Sequence, residues 1–162
     1  MRDFVVLAFI FLSAPMSLFS PYYGILVWYF IAFLNPHRFA WGFAFNFPVA
    51  MVIGITTLIG ALFSKETNRK IFTREMVILL LLWAWFCITL FHASQSAFLA
   101  THLQDGLFKL SKVSKILLMT FATFYLVSTR QKLRWLLLMV AFCFIFLAGK
   151  GAIWGVVTGG QY

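Results

Sequence analysis

Met76-Val77-Ile78-Leu79-Leu80-Leu81-Leu82-Trp83-Ala84-Trp85-Phe86-Cys87-Ile88-Thr89-Leu90-Phe91 contains no charge, no glycine and no proline. Apolar and polar residues do not alternate along it, so a half-buried strand is excluded and a helix remains. Polar residues bound it: Arg74 and Glu75 on one side, His92 and Ser94 on the other. The pattern recurs outward in both directions. Upstream lie Phe4–Phe19, Tyr22–Leu34 and Pro48–Phe63; downstream lie Val113–Ser128, Trp135–Ala148 and a shorter run from Ala152 to Thr158. Several runs are about 13–16 residues, fewer than the roughly 20 a full crossing takes.

Composition decides what surrounds such helices. Hydrophobic residues make up 63%, aromatic residues 20% and charged residues 10% of the 162 residues. A chain of this size cannot hide that much apolar surface in one core. Lipid is the expected solvent, where every backbone polar group needs a partner within the protein. The expected fold is therefore all-α: a polytopic membrane helical bundle of five to six transmembrane helices forming a single transmembrane domain over 1–162. Pro21 separates the first two runs so closely that they are expected to form either a short hairpin, which could be re-entrant, or one broken element. The start, Met1-Arg2-Asp3 before an apolar stretch, resembles a signal peptide. No small-residue cleavage site follows Pro15, so a retained first helix is expected.

The net charge is +9, from 13 Lys and Arg against 4 acids. The cations cluster between apolar runs, which points to headgroups and topology and away from nucleic acid. Lys65, Arg69, Lys70 and Arg74 fall between the third and fourth runs, and Arg130, Lys132 and Arg134 before the sixth. Both short basic linkers are predicted cytoplasmic by the positive-inside rule. Asn35–Phe47 and His92–Lys112 then face the other side, and strict alternation puts the N-terminus there too unless the first pair is a re-entrant hairpin. Phe39, Trp41, Phe43, Phe45 and Phe47 alternate along the first of these, as in an extended segment lying in the headgroup belt.

No acid lies inside an apolar run, which disfavours a proton-coupled transporter. Paired acids, a metal-spaced His/Cys/Asp set, a phosphate-cradling glycine loop and a nucleophile elbow are all absent from the sequence. Cys87 and Cys143 sit in the middle of apolar runs, where packing is their expected role. No catalytic residue, metal or cofactor is assigned.

Three constellations remain. Lys109, Lys112 and Lys115 repeat every third residue and on a helix share about a third of the circumference. They form either a docking strip for the diphosphate of a lipid-linked substrate or a row of snorkelling anchors. His37-Arg38, after Asn35-Pro36, forms either a phosphate-binding wall of a substrate portal or an interfacial helix end. Gly151, Gly155 and Gly159, spaced by four, would lie on one helix face for close helix packing. Lys150, between Gly149 and Gly151, is a candidate cation at a helix break.

A family likeness runs through these segments. It is carried by Arg2-Asp3, Trp28-Tyr29, Asn35-Pro36-His37-Arg38, Trp41-Gly42-Phe43-Ala44, Phe47-Pro48, the run Lys112-Val113-Ser114-Lys115-Ile116-Leu117-Leu118-Met119-Thr120, Lys150-Gly151 and Thr158-Gly159-Gly160. The chain resembles the N-terminal region of the O-glycosylation ligases associated with exosortase A, within the O-antigen ligase and polymerase superfamily. The resemblance implies a multi-pass protein of the bacterial inner membrane, of which these residues are the N-terminal portion. It also implies glycan transfer, without a metal, from an undecaprenyl-diphosphate carrier to an acceptor at the periplasmic face. This portion would help form the lipid-carrier groove beside the remaining transmembrane helices. The superfamily's important Arg and His residues belong to later segments, so none is carried over. The competing reading is a non-enzymatic membrane scaffold packing a partner through the glycine face.

The charge pattern makes a topological prediction. Reporter fusions after Lys70 and after Lys132 should both read cytoplasm, and a fusion near Asp105 should read periplasm. The reverse pattern would remove the lysine strip from the outer side.

Overall fold

In a computed structural model the described residues are 2–36, 45, 47–64, 73–95 and 103–159, and every regular element among them is helical. Six helices follow one another: α1 (Arg2–Phe19), α2 (Pro21–Leu34), α3 (Val49–Phe63), α4 (Arg74–Ser94), α5 (Leu103–Leu126) and α6 (Arg130–Val157). Two of them, α4 and α6, are long and apolar enough to cross a membrane; Pro21–Leu34, Val49–Phe63 and the Leu7–Phe19 part of α1 are shorter apolar stretches. Each helix coincides with an apolar run of the sequence, but the last two begin or end elsewhere than apolarity alone suggests.

α5 starts within the expected linker His92–Lys112. Gln, Lys and Leu there are good helix formers, and Asp105 in the first turn suits the positive end of the helix. α6 likewise absorbs the expected linker at Arg130–Arg134. Thr129 caps it, its hydroxyl accepting from the Lys132 amide at 3.3 Å. α6 then runs unbroken through Gly149-Lys150-Gly151, so the expected helix break is not there. Two glycines cost about 1 kcal/mol each in a helix interior, too little to stop a helix this long. The glycine face is also shorter than the spacing implied. Gly159 lies beyond α6 at φ +64°, a left-handed residue following the helix rather than a third member of its face. Nothing comes within 4 Å of a side chain placed at Gly149, Gly151 or Gly155.

The chain packs as two units, one of Met1–Thr67 with Leu126–Tyr162 and one of Asn68–Tyr125. In the first, Ser20 alone separates α1 from α2, and the two form a tight antiparallel hairpin. α3 returns alongside it, and Ile10, Val27, Ile31, Val49 and Ile53 close a common apolar core with Phe9, Tyr23, Trp28 and Phe47 around it. Where the three helices come closest, the residues are small. Ser13, Ser17 and Thr57 are buried polar residues. The Ser17 hydroxyl donates to the Ser13 carbonyl at 2.7 Å, and that of Thr57 to the Ile53 carbonyl at 2.6 Å. Spending their hydrogen bonds within their own helix leaves these faces flat enough for glycine to sit against them. A Cβ on Gly24 would collide with Thr57 Oγ1, and one on Gly60 would stand 2.6 Å from the Leu18 carbonyl oxygen and 2.7 Å from that of Ser17.

α6 joins this unit along α2. The Tyr22 hydroxyl donates to the Lys132 carbonyl at 2.6 Å, and Phe33 meets Phe144 with ring centroids 5.2 Å apart. The two helices are thus parallel. The ends of α1 and α3 and the starts of α2 and α6 share one end of the unit, and the start of α1 lies at the other. The segments flanking both basic linkers, after Phe63 and at Arg130–Arg134, therefore lie on the same side, opposite the N-terminus.

In the second unit α4 and α5 form an antiparallel pair. Thr73 caps α4, its hydroxyl accepting from the Met76 amide at 3.4 Å. Gly106 admits Leu90, whose Cδ1 would be 2.6 Å from a Cβ there. Nearer the middle of α4, the Trp83 indole Nε1 donates to Ser114 Oγ at 2.9 Å.

The close approach at Gly60 is rigid backbone. Gly60→Ala should destabilise the protein by about 1–3 kcal/mol through overpacking, read as a lowered midpoint of denaturant unfolding in detergent. Gly155→Ala, facing open space, should be neutral or raise stability by up to about 1 kcal/mol. Equal effects at the two sites would contradict this packing.

Candidate functional site

The lysine row belongs to the α4–α5 pair. Leu90 opposite Gly106 and Trp83 opposite Ser114 set the register, so Lys109 stands level with about residue 87 of α4 and Lys115 with about residue 82. Since α4 ends at Ser94, a rise of 1.5 Å per residue puts Lys109 roughly 10 Å and Lys115 roughly 18 Å from that end. The row thus reaches the middle of α4. Helix α5 begins earlier than its apolar run, and this draws the lysines alongside the body of its neighbour.

Steps of three fall about 60° short of a full turn. Lys109 therefore borders the groove between the helices, while Lys112 and Lys115 turn progressively away from it; all three are exposed. Lys109 shares the groove, about 420 Å³, with Phe86, Thr89, Leu90, Leu110 and Val113. Lys112 Nζ lies 4.3 Å from the centre of the Phe108 ring, which holds the ammonium against an aromatic face. Ser114, between Lys112 and Lys115, accepts from Trp83 and donates to the Leu110 carbonyl at 2.8 Å. Lys109 thus gives the apolar groove a cationic edge, where an anion could be held, and Lys112 and Lys115 continue the row outward from it.

The other candidates belong to the first unit or lie outside the described residues. Lys150 is exposed on α6, six residues beyond Phe144 and therefore past the end of α2, where Asn35 closes that helix at φ 46°. His37 and Arg38 follow immediately but lie outside the described residues, as do Phe39, Trp41 and Phe43 of the aromatic alternation. Phe47, its last member, packs against the α1–α3 core. A cleft of about 570 Å³ between α1 and α3 is lined by Leu7, Ile10, Phe11, Pro15, Val52 and Thr56 among others. Cys143 is fully buried, its Sγ 3.7 Å from Met139 Sδ. Among the described residues no three of His, Cys, Asp and Glu gather as metal ligands would.

Sequence reasoning passed over Trp83 and Ser114, whose pairing fixes the depth of the row. A tryptophan in the middle of an apolar run was the available signal, because a buried or lipid-facing indole N–H needs an acceptor.

The model of one protein family, described as a family of unknown function (DUF5935), matches residues 1–162. No curated protein and no solved structure matches the chain.

The indole–hydroxyl bond makes a thermodynamic prediction. Trp83→Phe and Ser114→Ala should each cost about 0.5–1.5 kcal/mol, and the double variant no more than the larger single loss. Strict additivity in unfolding measurements would show that the two side chains do not act together.

Proposed function

We propose, given that the chain belongs to DUF5935, a family of unknown function, that it is a multi-pass component of the bacterial inner membrane whose α5 lysine row receives the diphosphate of a lipid-linked glycan. Its place is the N-terminal membrane part of an O-glycosylation-ligase-like protein, where it forms one wall of the lipid-carrier groove on the periplasmic side. Residues that carry out glycan transfer are not assigned to it.

Burial supports the membrane reading. Only 6% of the apolar window in α4 and 11% of that in α6 is buried, and neither helix is N-terminal. A core helix of a soluble protein would be covered, and a signal sequence would come first. Ile78, Leu81, Trp85 and Phe91 on α4 are all more than 60% exposed, a continuous apolar surface that water does not tolerate at this extent. The parallel course of α2 and α6, with three helices between them in sequence, agrees with one crossing per helix.

The depth of the lysine row carries the functional reading. A lysine at the centre of a membrane helix costs about 3 kcal/mol, and such residues face cavities or charged partners. Anchors belong at helix ends. A row running from the outer third of α4 to its middle, beside an apolar groove, suits a ligand with a phosphate head and a hydrocarbon tail.

The scaffold alternative draws on the open face at Gly149, Gly151 and Gly155, and one experiment separates the two. Lys109→Gln/Lys112→Gln/Lys115→Gln should weaken retention of undecaprenyl diphosphate by roughly 100-fold, at about 1 kcal/mol per cation. Gly155→Leu should leave it unchanged. Retention indifferent to the three lysines, with a co-purifying partner lost in Gly155→Leu, would favour the scaffold.

A further inference from the structure

At the start of α6 a second cationic site is built from residues the lysine row does not involve. Arg130, Gln131, Arg134, Trp135 and Leu138 line a recess of about 440 Å³. Arg130, Arg134 and Leu138 recur every fourth residue and so form one column on the helix face; Gln131 and Trp135, also four apart, form the column beside it. Lys132 turns elsewhere, its Nζ 5.3 Å from the centre of the Tyr22 ring.

The order along the helix is graded. Two guanidinium groups and an amide come first, an indole next and an aliphatic side chain last, over roughly 12 Å from Arg130 to Leu138. A membrane glycerophospholipid has the same order, from phosphate through the glycerol esters to the acyl chains. Arg presents paired donors that match phosphate oxygens, and Trp prefers the ester level of the bilayer. Trp135 is 57% and Leu138 50% exposed, so the aromatic and aliphatic steps are open to such a ligand.

Electrostatics selects an anionic lipid over a zwitterionic one. The first turn of α6 holds no acid, so Arg130 and Arg134 stand near the positive end of a 28-residue helix dipole. No carboxylate among the described residues pairs with Arg130 or Arg134. A zwitterionic headgroup would bring its own ammonium into this field. A headgroup with net negative charge relieves both the dipole and the arginines.

We infer that Arg130 and Arg134, with Gln131, Trp135 and Leu138, hold one anionic glycerophospholipid at the start of α6, on the side carrying the basic linkers. This rests on α6 crossing a membrane as proposed above, and it is independent of the lysine row.

Native mass spectrometry of the detergent-purified chain, titrated with phosphatidylglycerol or with phosphatidylcholine of the same acyl chains, tests it. The wild type should retain one phosphatidylglycerol well above phosphatidylcholine, and soluble glycerol 3-phosphate should not displace it. R130Q/R134Q should weaken that retention roughly 25-fold. If the double variant loses helicity by circular dichroism, R130Q and R134Q singly, each expected to weaken retention about 5-fold, carry the test. Retention by R130Q/R134Q equal to wild type, equal retention of phosphatidylcholine, or displacement by glycerol 3-phosphate would each overturn the inference. A wild-type chain that stays in the aqueous fraction without detergent would instead overturn the membrane reading, and it would show that before any lipid is added.

Discussion

The three-helix contact at Ser17, Gly24, Thr57 and Gly60 is the constraint on which the first unit depends. Where helices are apolar on most sides, as these are, burying one apolar face against another does little to choose between arrangements. What remains is close packing and the pairing of every polar group. Gly24 and Gly60 permit the first, since the atoms they meet are a buried hydroxyl and two backbone carbonyls that cannot move aside. Ser17 and Thr57 satisfy the second by bonding back to carbonyls of their own helices. A hydroxyl used in this way can face another helix at close range without demanding a partner from it.

That contact also orders charge. By holding α1, α2 and α3 in register, it places the end of α3 and the start of α2 at one end of the unit. Tyr22 then brings the start of α6 to the same end through the Lys132 carbonyl. Two helix ends far apart in sequence, that of α3 and the start of α6 with its Arg130, Lys132 and Arg134, thereby share one end of the unit, and the start of α1 lies at the other.

The presence of helices was legible because long uncharged runs admit little else. Their ends were less so, because apolarity marks what lipid covers and not where hydrogen bonding begins. Thr129 starts α6 before its apolar run, and Asp105 and the lysines extend α5 well ahead of its own. The glycines were read through a repeat, which favoured Gly151, Gly155 and Gly159. The pair that does the packing, Gly24 and Gly60, lies on different helices and has no shared spacing to find. Ser13-x-x-x-Ser17 was the one local sign of a close-packed face. The lysine row was legible as a row, since three residues on one helix need only the helical period. Its depth was not, because depth follows from the pairing of α4 with α5, a contact between residues 31 positions apart.

Depth is also what separates the two basic clusters in kind. Arg130 and Arg134 stand at the first turns of a long apolar helix, where side chains reach the headgroups without leaving water, and their energetic cost is small. Lys115 stands near the midpoint of α4, farther from either end of that helix than a lysine stem extends. If α4 spans the bilayer, simple anchoring does not account for a cation there. Either water enters along the outward face of α5 or an anion is carried to it, and both require that face to border a cavity rather than hydrocarbon. The aromatic contact of Lys112 with Phe108 acts in the same sense, holding an ammonium group against an apolar wall where a hydrated one would be released.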